Sequence, residues 1–323
     1  MTKKYQHTSV LNLQLIEHLK PQAGQHFIDC TLGGGGHTEA ILKKNTPDGR
    51  VLALDLDQDA VSATTERLKQ YKDRLIVEQA DFSDLQTIYK KHKDKLPIIA
   101  GIVADLGVSS WHFDQANRGF SFKDHGPLDM RFDPDTQSLT ASEIVMTWPQ
   151  DKLEKIFREY GDIKQAKKLA TGLIAWRKTQ TKQKQKPIKT SMLVDVILRI
   201  FNISDSKLKS FKIHPATRVW QALRIATNQE IDKIQIMLPQ AFDILMSGGY
   251  LAIISFHSLE DRTVKQYFKG LAKTCHCPPE SPTCQCDGPL AKIINKKIIK
   301  ASEIELTNNP RSRSAILRVI QKI

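Results

Sequence analysis

No run of apolar residues in this 323-residue chain approaches the roughly 20 needed to span a bilayer. The opening Met1-Thr2-Lys3-Lys4-Tyr5-Gln6 leads into a polar, broken segment instead of the apolar core of a secretory signal. A cytosolic protein with no membrane partner is therefore expected. No internal repeat is visible, and hydrophobic residues at 40% with charged residues at 26% are globular values that exclude a disordered tail or a collagen-like chain. The length leaves one large domain or two.

Two phosphate-binding signatures are also missing. The dinucleotide pattern GxGxxG fails in each register, because from Gly33 its last position is Thr38 and from Gly34 it is Glu39. The phosphate-cradling GxxxxGK[ST] is absent as well. What is present is a strand, His26 to Leu32, that runs into Gly33-Gly34-Gly35-Gly36, then a helix from His37, then a second strand, Arg50 to Asp55. A glycine turn followed by an acid at the end of the second strand is the recipe for an adenosine ligand, since Asp55 is placed to accept from both ribose hydroxyls. Adenosine without a recognised phosphate points to S-adenosylmethionine; the competing reading is a tight strand-to-helix turn with no ligand.

Strands and helices continue to alternate through Asp59 to Tyr71, Leu75 to Glu78 and Ile98 to Asp105, which implies a parallel sheet. Asp81-Phe82 follows the third strand and offers an apolar face for adenine. Asp105 ends the fourth strand beside Leu106-Gly107-Val108-Ser109-Ser110. Both lie at carboxyl ends of strands, where open α/β sheets bind ligands. The alternation then stops. An aromatic loop, Arg118 to Phe122, precedes helical stretches at Leu153 to Tyr160, Ile163 to Trp176 and Met192 to Phe201; two helices follow His214-Pro215, and Tyr250 to Phe256 restores strand character. The expected organisation is an α/β domain of residues 1–112 and 213–323, with a helical domain of residues 113–212 inserted in it.

Net positive charge is absent where the cofactor is expected and abundant elsewhere. The chain carries +13 overall, with pI ≈ 9.4. Residues 1–112 hold 14 basic and 14 acidic side chains, whereas residues 151–215 hold 16 basic and 6 acidic. The run includes the low-complexity connector Thr179 to Lys186, with Lys182, Lys184 and Lys186. Such a stretch is either a solvated face or a site for an acidic polymer.

Cysteine is limited to five residues, four of them in one Pro-rich group: Cys275-His276-Cys277 and Cys284-Gln285-Cys286. In a reducing compartment these are a structural zinc site or reduced thiols. Cys30 lies in an apolar strand and is expected to pack.

Several strings together resemble the RsmH (MraW) family: His7-Thr8-Ser9-Val10-Leu11, Thr31 to His37, Asp105 to Ser110, Arg118 to Phe122, Gly126 to Arg131, His214 to Asn228, Ser255 to Arg262 and Asn309 to Ser314. They run in order along nearly the whole chain. The resemblance implies a Rossmann-like class I methyltransferase sheet with a helical insert, acting on N4 of a cytidine in the decoding region of 16S rRNA. It implies cofactor contacts at Gly35, Gly36, His37, Asp55, Phe82 and Asp105. A family glutamine two positions after the Ser-Ser pair is replaced here by His112, which inherits its place in the cofactor set. Ser9 stands where proline is common, and Ala301 interrupts a Pro-containing segment.

Methylating an exocyclic amine needs a hydrogen acceptor beside the methyl donor. Asp105 is the expected acceptor, against the alternative of a cofactor or structural carboxylate; His257, after the restored strand, is placed to orient the base or a phosphate. A C5 methyltransferase would need a cysteine nucleophile beside the base, and none follows the fourth strand. Arg131, Arg218, Arg224, Arg311 and Arg313 are candidate phosphate partners or surface ion pairs. Phe120, Phe122 and Trp111 stack bases or pack the insert. The partners expected are 16S rRNA within the small ribosomal subunit and a second copy of the chain. The rival function is a cofactor-binding ribosome-assembly factor without catalysis.

Overall fold

The computed structural model describes residues 9–107, 116–122, 125–180, 188–275, 277, 286 and 288–323. The chain divides into two units: one closes at Gly107 and resumes at Ile231, and the other takes the residues between.

The first unit opens with α1 (Asn12–Leu19) and then alternates β1 (His26–Asp29), α2 (Gly36–Lys44), β2 (Val51–Asp55), α3 (Gln58–Arg67), β3 (Leu75–Gln79), α4 (Leu85–His92) and β4 (Ile99–Asp105). β4 is buried along its length up to Asp105. Its side chains alternate between two cores. Ile102 and Ala104 join Leu85, Ile88 and Tyr89 of α4, while Ala100 and Val103 join Leu15 and Leu19 of α1 and Ile41 and Leu42 of α2. A strand covered on both faces reads as continuous hydrophobicity, as Ile99 to Ala104 does.

The helical unit contains α5 (Ala141–Thr147), α6 (Gln150–Glu159), α7 (Ala166–Thr179), α8 (Thr190–Phe201), α9 (Asp205–Leu208) and α10 (Ala216–Asn228). Thr140 and Glu143 form a reciprocal cap that starts α5. Leu153, Ile156 and Phe157 place an i, i+3, i+4 stripe of α6 in a core with Leu169 and Leu173 of α7, Leu193 and Ile197 of α8 and Val219, Trp220 and Leu223 of α10. α10 thus belongs to the helical core, and the return to the α/β unit falls at Ile231, not at residue 213. Helical periodicity marks α10 as amphipathic; it carries no information on which core the apolar stripe enters.

After α11 (Glu230–Ile244) come β5 (Leu245–Ser255), α12 (Ser258–Leu271), β6 (Ala291–Ile293), α13 (Glu303–Asn308) and β7 (Ile316–Lys322). β5 begins five residues earlier than Tyr250. Its register against β4 jumps from Ile99↔Leu245 to Gly101↔Tyr250, so Met246 to Gly249 bulge out, with Gly248 at φ 80. Seven strands form one sheet in the order β3-β2-β1-β4-β5-β7-β6. β1 to β5 are parallel, and β7 runs antiparallel to both β5 and β6. Among the described residues no helix is long and apolar enough to cross a membrane.

Candidate active site

The glycine turn after β1 is built by its neighbours as much as for a ligand. Gly33 (φ 46) and Gly35 (φ 72) are left-handed, a conformation glycine adopts without penalty. A Cβ on Gly35 would strike Thr64 Cγ2 and meet Leu68 Cδ1 at 3.0 Å; one on Gly36 would strike the Ser9 side chain. These two glycines let α3 and the Ser9 segment close onto the turn. At Gly33 the only atom a Cβ would approach is the Thr31 carbonyl oxygen, at 3.9 Å. Of these three glycines, Gly33 is the one with open space beside it.

Asp55 at the end of β2 pins this turn. Its Oδ2 accepts from the Gly33 N–H at 2.7 Å and its Oδ1 from the Asp57 N–H at 2.9 Å. A carboxylate offers about four lone-pair directions. Phe82 opens a short 3-10 turn after β3 and lies half-buried against the core that holds α4 and α11. The preceding Asp81 is held by Lys233 of α11 at 2.6 Å.

Next to the turn, a buried carboxylate that sequence reading passed over organises three chain ends. Asp29 is fully buried. Its Oδ1 accepts from the Thr31 N–H at 3.0 Å, and its Oδ2 from the Thr38 hydroxyl in the first turns of α2 at 2.7 Å. The Thr31 hydroxyl oxygen in turn accepts the backbone N–H of Asp105 at 2.6 Å. His37, 4% exposed, donates from Nε2 to the Val10 carbonyl at 2.9 Å, which assigns the ring proton to that nitrogen.

Asp105 stands at the centre of this corner. Its side chain is partly exposed, yet Oδ1 is sealed from solvent with no hydrogen-bond partner among the described residues. Burial pushes its pKa up to about 6; His37 works against this, the Asp29 and Glu260 carboxylates reinforce it, and the Gly107 N–H opposes it. An orphaned carboxylate oxygen is costly, and such groups concentrate at functional sites.

His257 has a structural duty at the start of α12. It caps α12, with Nδ1 accepting the Glu260 N–H at 3.4 Å, while Glu260 Oε2 accepts the backbone N–H groups of Phe256 and His257. Its Nε2 lies 3.0 Å from Glu260 Oε1, off the line of a hydrogen bond. Glu260 is fully buried, and no sequence signal marked it as a neighbour of Asp105.

Two of the five candidate arginines are consumed locally. Arg131 forks onto Asp129 at 2.8 and 2.7 Å and donates to the carbonyls of Pro134 and Gln137. Arg224 forks onto Glu230 at 2.9 and 3.0 Å, both side chains largely buried. Arg218 reaches the Asp162 carbonyl but stays 56% exposed. Arg311 and Arg313 project from a short 3-10 turn, Pro310–Ser314, with exposed side chains. Phe120 is buried and stacks on Phe132 at 5.6 Å, and Phe122, half-buried, packs edge-on against Trp220 at 5.3 Å; both pack the insert. Trp111, His112, Lys182, Lys184, Lys186 and Cys284 lie outside the described residues.

A parallel sheet with a reversed β7, an adenosine-type turn after β1 and an acid closing β4 is the arrangement of the Rossmann-like class I methyltransferases, which use S-adenosylmethionine. Comparison with known proteins narrows the class. The profile of the MraW methylase family matches residues 4–323. The ribosomal RNA small subunit methyltransferase H of Clostridioides difficile is 41% identical over 324 residues, covering 99% of this chain and 100% of that one. Its namesake from Syntrophotalea carbinolica is 39% identical over 325 residues, with both chains fully covered. Among solved structures, an rRNA methylase from Streptococcus thermophilus covers 98% of this chain and 99% of its own at 10% identity and a TM-score of 0.44. The chain belongs to the MraW methylase family.

Proposed function

We infer that the protein transfers the methyl group of S-adenosylmethionine to N4 of a cytidine in the decoding region of 16S rRNA. The observation that carries the reading is Asp105: a carboxylate at the carboxyl end of β4, with one oxygen sealed and unpartnered among the described residues and a pKa raised to about 6.

The residues present fit the cofactor. The open side of Gly33 admits a ligand against the backbone, Asp55 closes β2 beside that turn as the acid for the ribose hydroxyls, and Phe82 supplies an apolar wall for adenine. Bound S-adenosylmethionine supplies an electrophilic methyl on a sulfonium that leaves as a neutral thioether. Gly35, Gly36 and His37 shape the turn that faces it.

The cytosine amine is a poor nucleophile because its lone pair is delocalised into the ring. Asp105, accepting one N4 hydrogen, returns density to nitrogen as the N–CH3 bond forms in line with the departing sulfur; the proton passes to its carboxylate and then to solvent. A carboxylate with a pKa near 6 is a better acceptor at neutral pH than an ordinary aspartate. The Thr31 hydroxyl fixes the Asp105 backbone, and positioning accounts for much of the remaining acceleration. His112 completes the proposed cofactor set, and His257 acts through the α12 cap. The displacement needs only a sulfonium, an amine and an acceptor, so the zinc expected at the cysteine group is structural.

Protonated Asp105 cannot accept, so kcat is expected to rise with pH through a half-point near 6. Glu260→Gln removes one charge that raises the Asp105 pKa and is expected to shift that half-point downward. A flat profile between pH 5 and 8 would remove Asp105 from the proton path.

The RNA surface proposed is the basic helical insert with Arg218; Arg311 and Arg313, on the α/β unit, are proposed separately as phosphate partners. A flexible substrate strand suits it, because the target base must leave its stack to reach the pocket. Replacing Lys182, Lys184 and Lys186 with glutamine is expected to flatten the salt dependence of rRNA binding by about 2 in log–log slope with cofactor affinity unchanged; an unaltered slope would make the run a solvated face. The proposal extends to the assembled small subunit as the form recognised and to a homodimer as the assembly. Methyl transfer to 30S subunits and to naked 16S rRNA, read by nucleoside mass spectrometry, tests the reaction and its substrate form. Sedimentation of the protein tests the dimer. Absence of N4-methylcytidine on both substrates would leave the non-catalytic assembly factor as the reading.

A further inference from the structure

Aromatic side chains of the helical unit go into its core, where Phe157, Trp176, Phe201 and Trp220 pack with Phe120 and Phe122. Phe211, in the turn that links α9 to α10, departs from this. It is 41% exposed, the only exposed phenylalanine, tyrosine or tryptophan among the described residues, and it belongs to none of the three apolar cores. Ile213, two residues on, is exposed as well. A surface isoleucine is ordinary. A phenyl ring forgoes more apolar burial than an aliphatic side chain when it stands in water, and its flat face suits a flat partner.

The setting of this ring is cationic. Lys207, Lys209 and Lys212 flank it in sequence and are all exposed, and none of their ammonium groups is in an ion pair among the described residues. Asp205 is the only acid between Asn202 and Pro215. Unneutralised lysines around an exposed ring match a ligand that alternates anionic groups with flat apolar faces, which is the chemistry of single-stranded RNA. In a duplex the bases stack on one another and withhold those faces. The backbone sets the ring in place beforehand. The Ser210 N–H and hydroxyl both donate to the Lys207 carbonyl, at 3.0 and 2.7 Å, and the Phe211 N–H donates to the Leu208 carbonyl at 3.2 Å. Downstream, His214 Nδ1 accepts the Ala216 N–H at 3.1 Å, and the His214 ring lies 4.8 Å from that of Phe122, which ties the turn to the helical core. A platform ordered in the free protein loses little freedom on binding.

We propose that Phe211 is a stacking platform for an unpaired base of the substrate RNA, with Lys207, Lys209 and Lys212 holding the phosphates on either side. The inference rests on the rRNA reading above and deepens it, naming a contact with a base where charge alone recognises only phosphate. Every base has a π face, so the ring favours unpaired over paired RNA without reading sequence. Stacking releases no counterions, and the ring and the lysines therefore leave different signatures in salt.

The test is a salt titration of binding by the full-length protein to naked 16S rRNA, 30S subunits, an unstructured oligouridylate and a duplex RNA of the same length as the oligouridylate. Phe211→Ala is expected to weaken binding to naked rRNA and oligouridylate about tenfold, the size of one lost stack, by the same factor at every salt concentration. Lys209→Gln combined with Lys212→Gln is expected instead to flatten the log–log salt slope by about 1.4, near 0.7 for each phosphate contact on a single strand. Phe211→Trp is expected to keep the affinity and Phe211→Leu to lose it, while the duplex is bound alike by wild type and Phe211→Ala. Unchanged melting temperature and S-adenosylmethionine affinity report an intact fold; should Phe211→Ala melt early, the Trp and Leu variants carry the comparison. Wild-type affinity for oligouridylate and naked rRNA in Phe211→Ala or Phe211→Leu would overturn the platform and leave the methyl-transfer reading standing. A defect on 30S subunits with none on naked rRNA would assign the ring to a ribosomal protein and overturn it too. Failure of the wild type itself to bind rRNA would remove the underlying reading, an outcome visible before any variant is measured.

Discussion

Asp105→Asn is expected to lower kcat for methyl transfer by about three orders of magnitude, within the range of a lost acid–base group, and at the same time to raise the melting temperature at neutral pH. The two effects share one cause. Burial and the Asp29 and Glu260 carboxylates make the charged form of Asp105 unfavourable in the folded chain, which is why its pKa stands near 6 against 3.8 for an ordinary aspartate. Between those two pH values the folded state holds a proton that the unfolded state has lost, so stability falls as pH rises through the window. Above it the folded chain carries the full penalty. A neutral amide of the same shape does not, and the Tm gain of the variant is expected to shrink towards zero as pH drops below 4. Thermal melts at pH 4 and pH 8, beside single-turnover transfer, read both arms. Full activity in Asp105→Ala would end the acceptor role, and an unaltered Tm at pH 8 would mean that the carboxylate is solvated and the acid limb near 6 has another source.

Gly35→Ala is expected to destabilise the protein by about 3 kcal/mol: roughly 1 for forcing alanine into a left-handed conformation and about 2 for overpacking against Thr64 and Leu68. Thr64→Ser separates the two terms. The Thr64 hydroxyl donates to the Gly33 carbonyl at 2.6 Å, and serine keeps that bond while deleting the methyl that an alanine Cβ would strike. In the double variant about half the loss is expected to return, with the backbone term remaining. Denaturant unfolding of the four members of the cycle measures this. Purely additive losses would show that the turn yields to accommodate the side chain and that α3 does not press on it.

The contrast of Gly33 with Gly35 and Gly36 shows how far sequence reached into this site. Four consecutive glycines followed by an acid at Asp55 announce an adenosine turn, and the strand-end position of Asp105 announces chemistry; both are local patterns. Which glycine faces a ligand and which faces α3 depends on Thr64 and Ser9, contacts across the fold that leave no periodic trace. Asp29 and Glu260 escaped for another reason: their hydrogen-bond partners are near in sequence, but their burial and their nearness to Asp105 come from the fold. For Arg131 and Arg224 sequence leaves phosphate contact and ion pairing both open, and Asp129 and Glu230, two and six residues away, hold them in forks.

The α/β alternation made β1 to β4 legible, since buried parallel strands are continuous apolar runs. β6 is three residues long and β7 alternates Leu317, Arg318, Val319, so neither stands out as such a run. The boundary at Ile231 was illegible because α10 and α11 are both amphipathic, and only packing assigns one to the helical core and the other to the sheet.

The pairing of β4 with β5 has a bearing on how the chain is made. β4 ends at Asp105 and its partner begins at Leu245, so during synthesis one edge of an almost wholly buried strand must wait while the entire helical unit emerges. At 5–20 residues per second that interval is on the order of 10 s. An open apolar edge invites strand pairing with other chains, and the helical unit, whose core draws on its own helices alone, can fold within the same interval. Aggregation during expression is therefore a hazard of the first four strands, and slower translation of the insert lengthens the exposure.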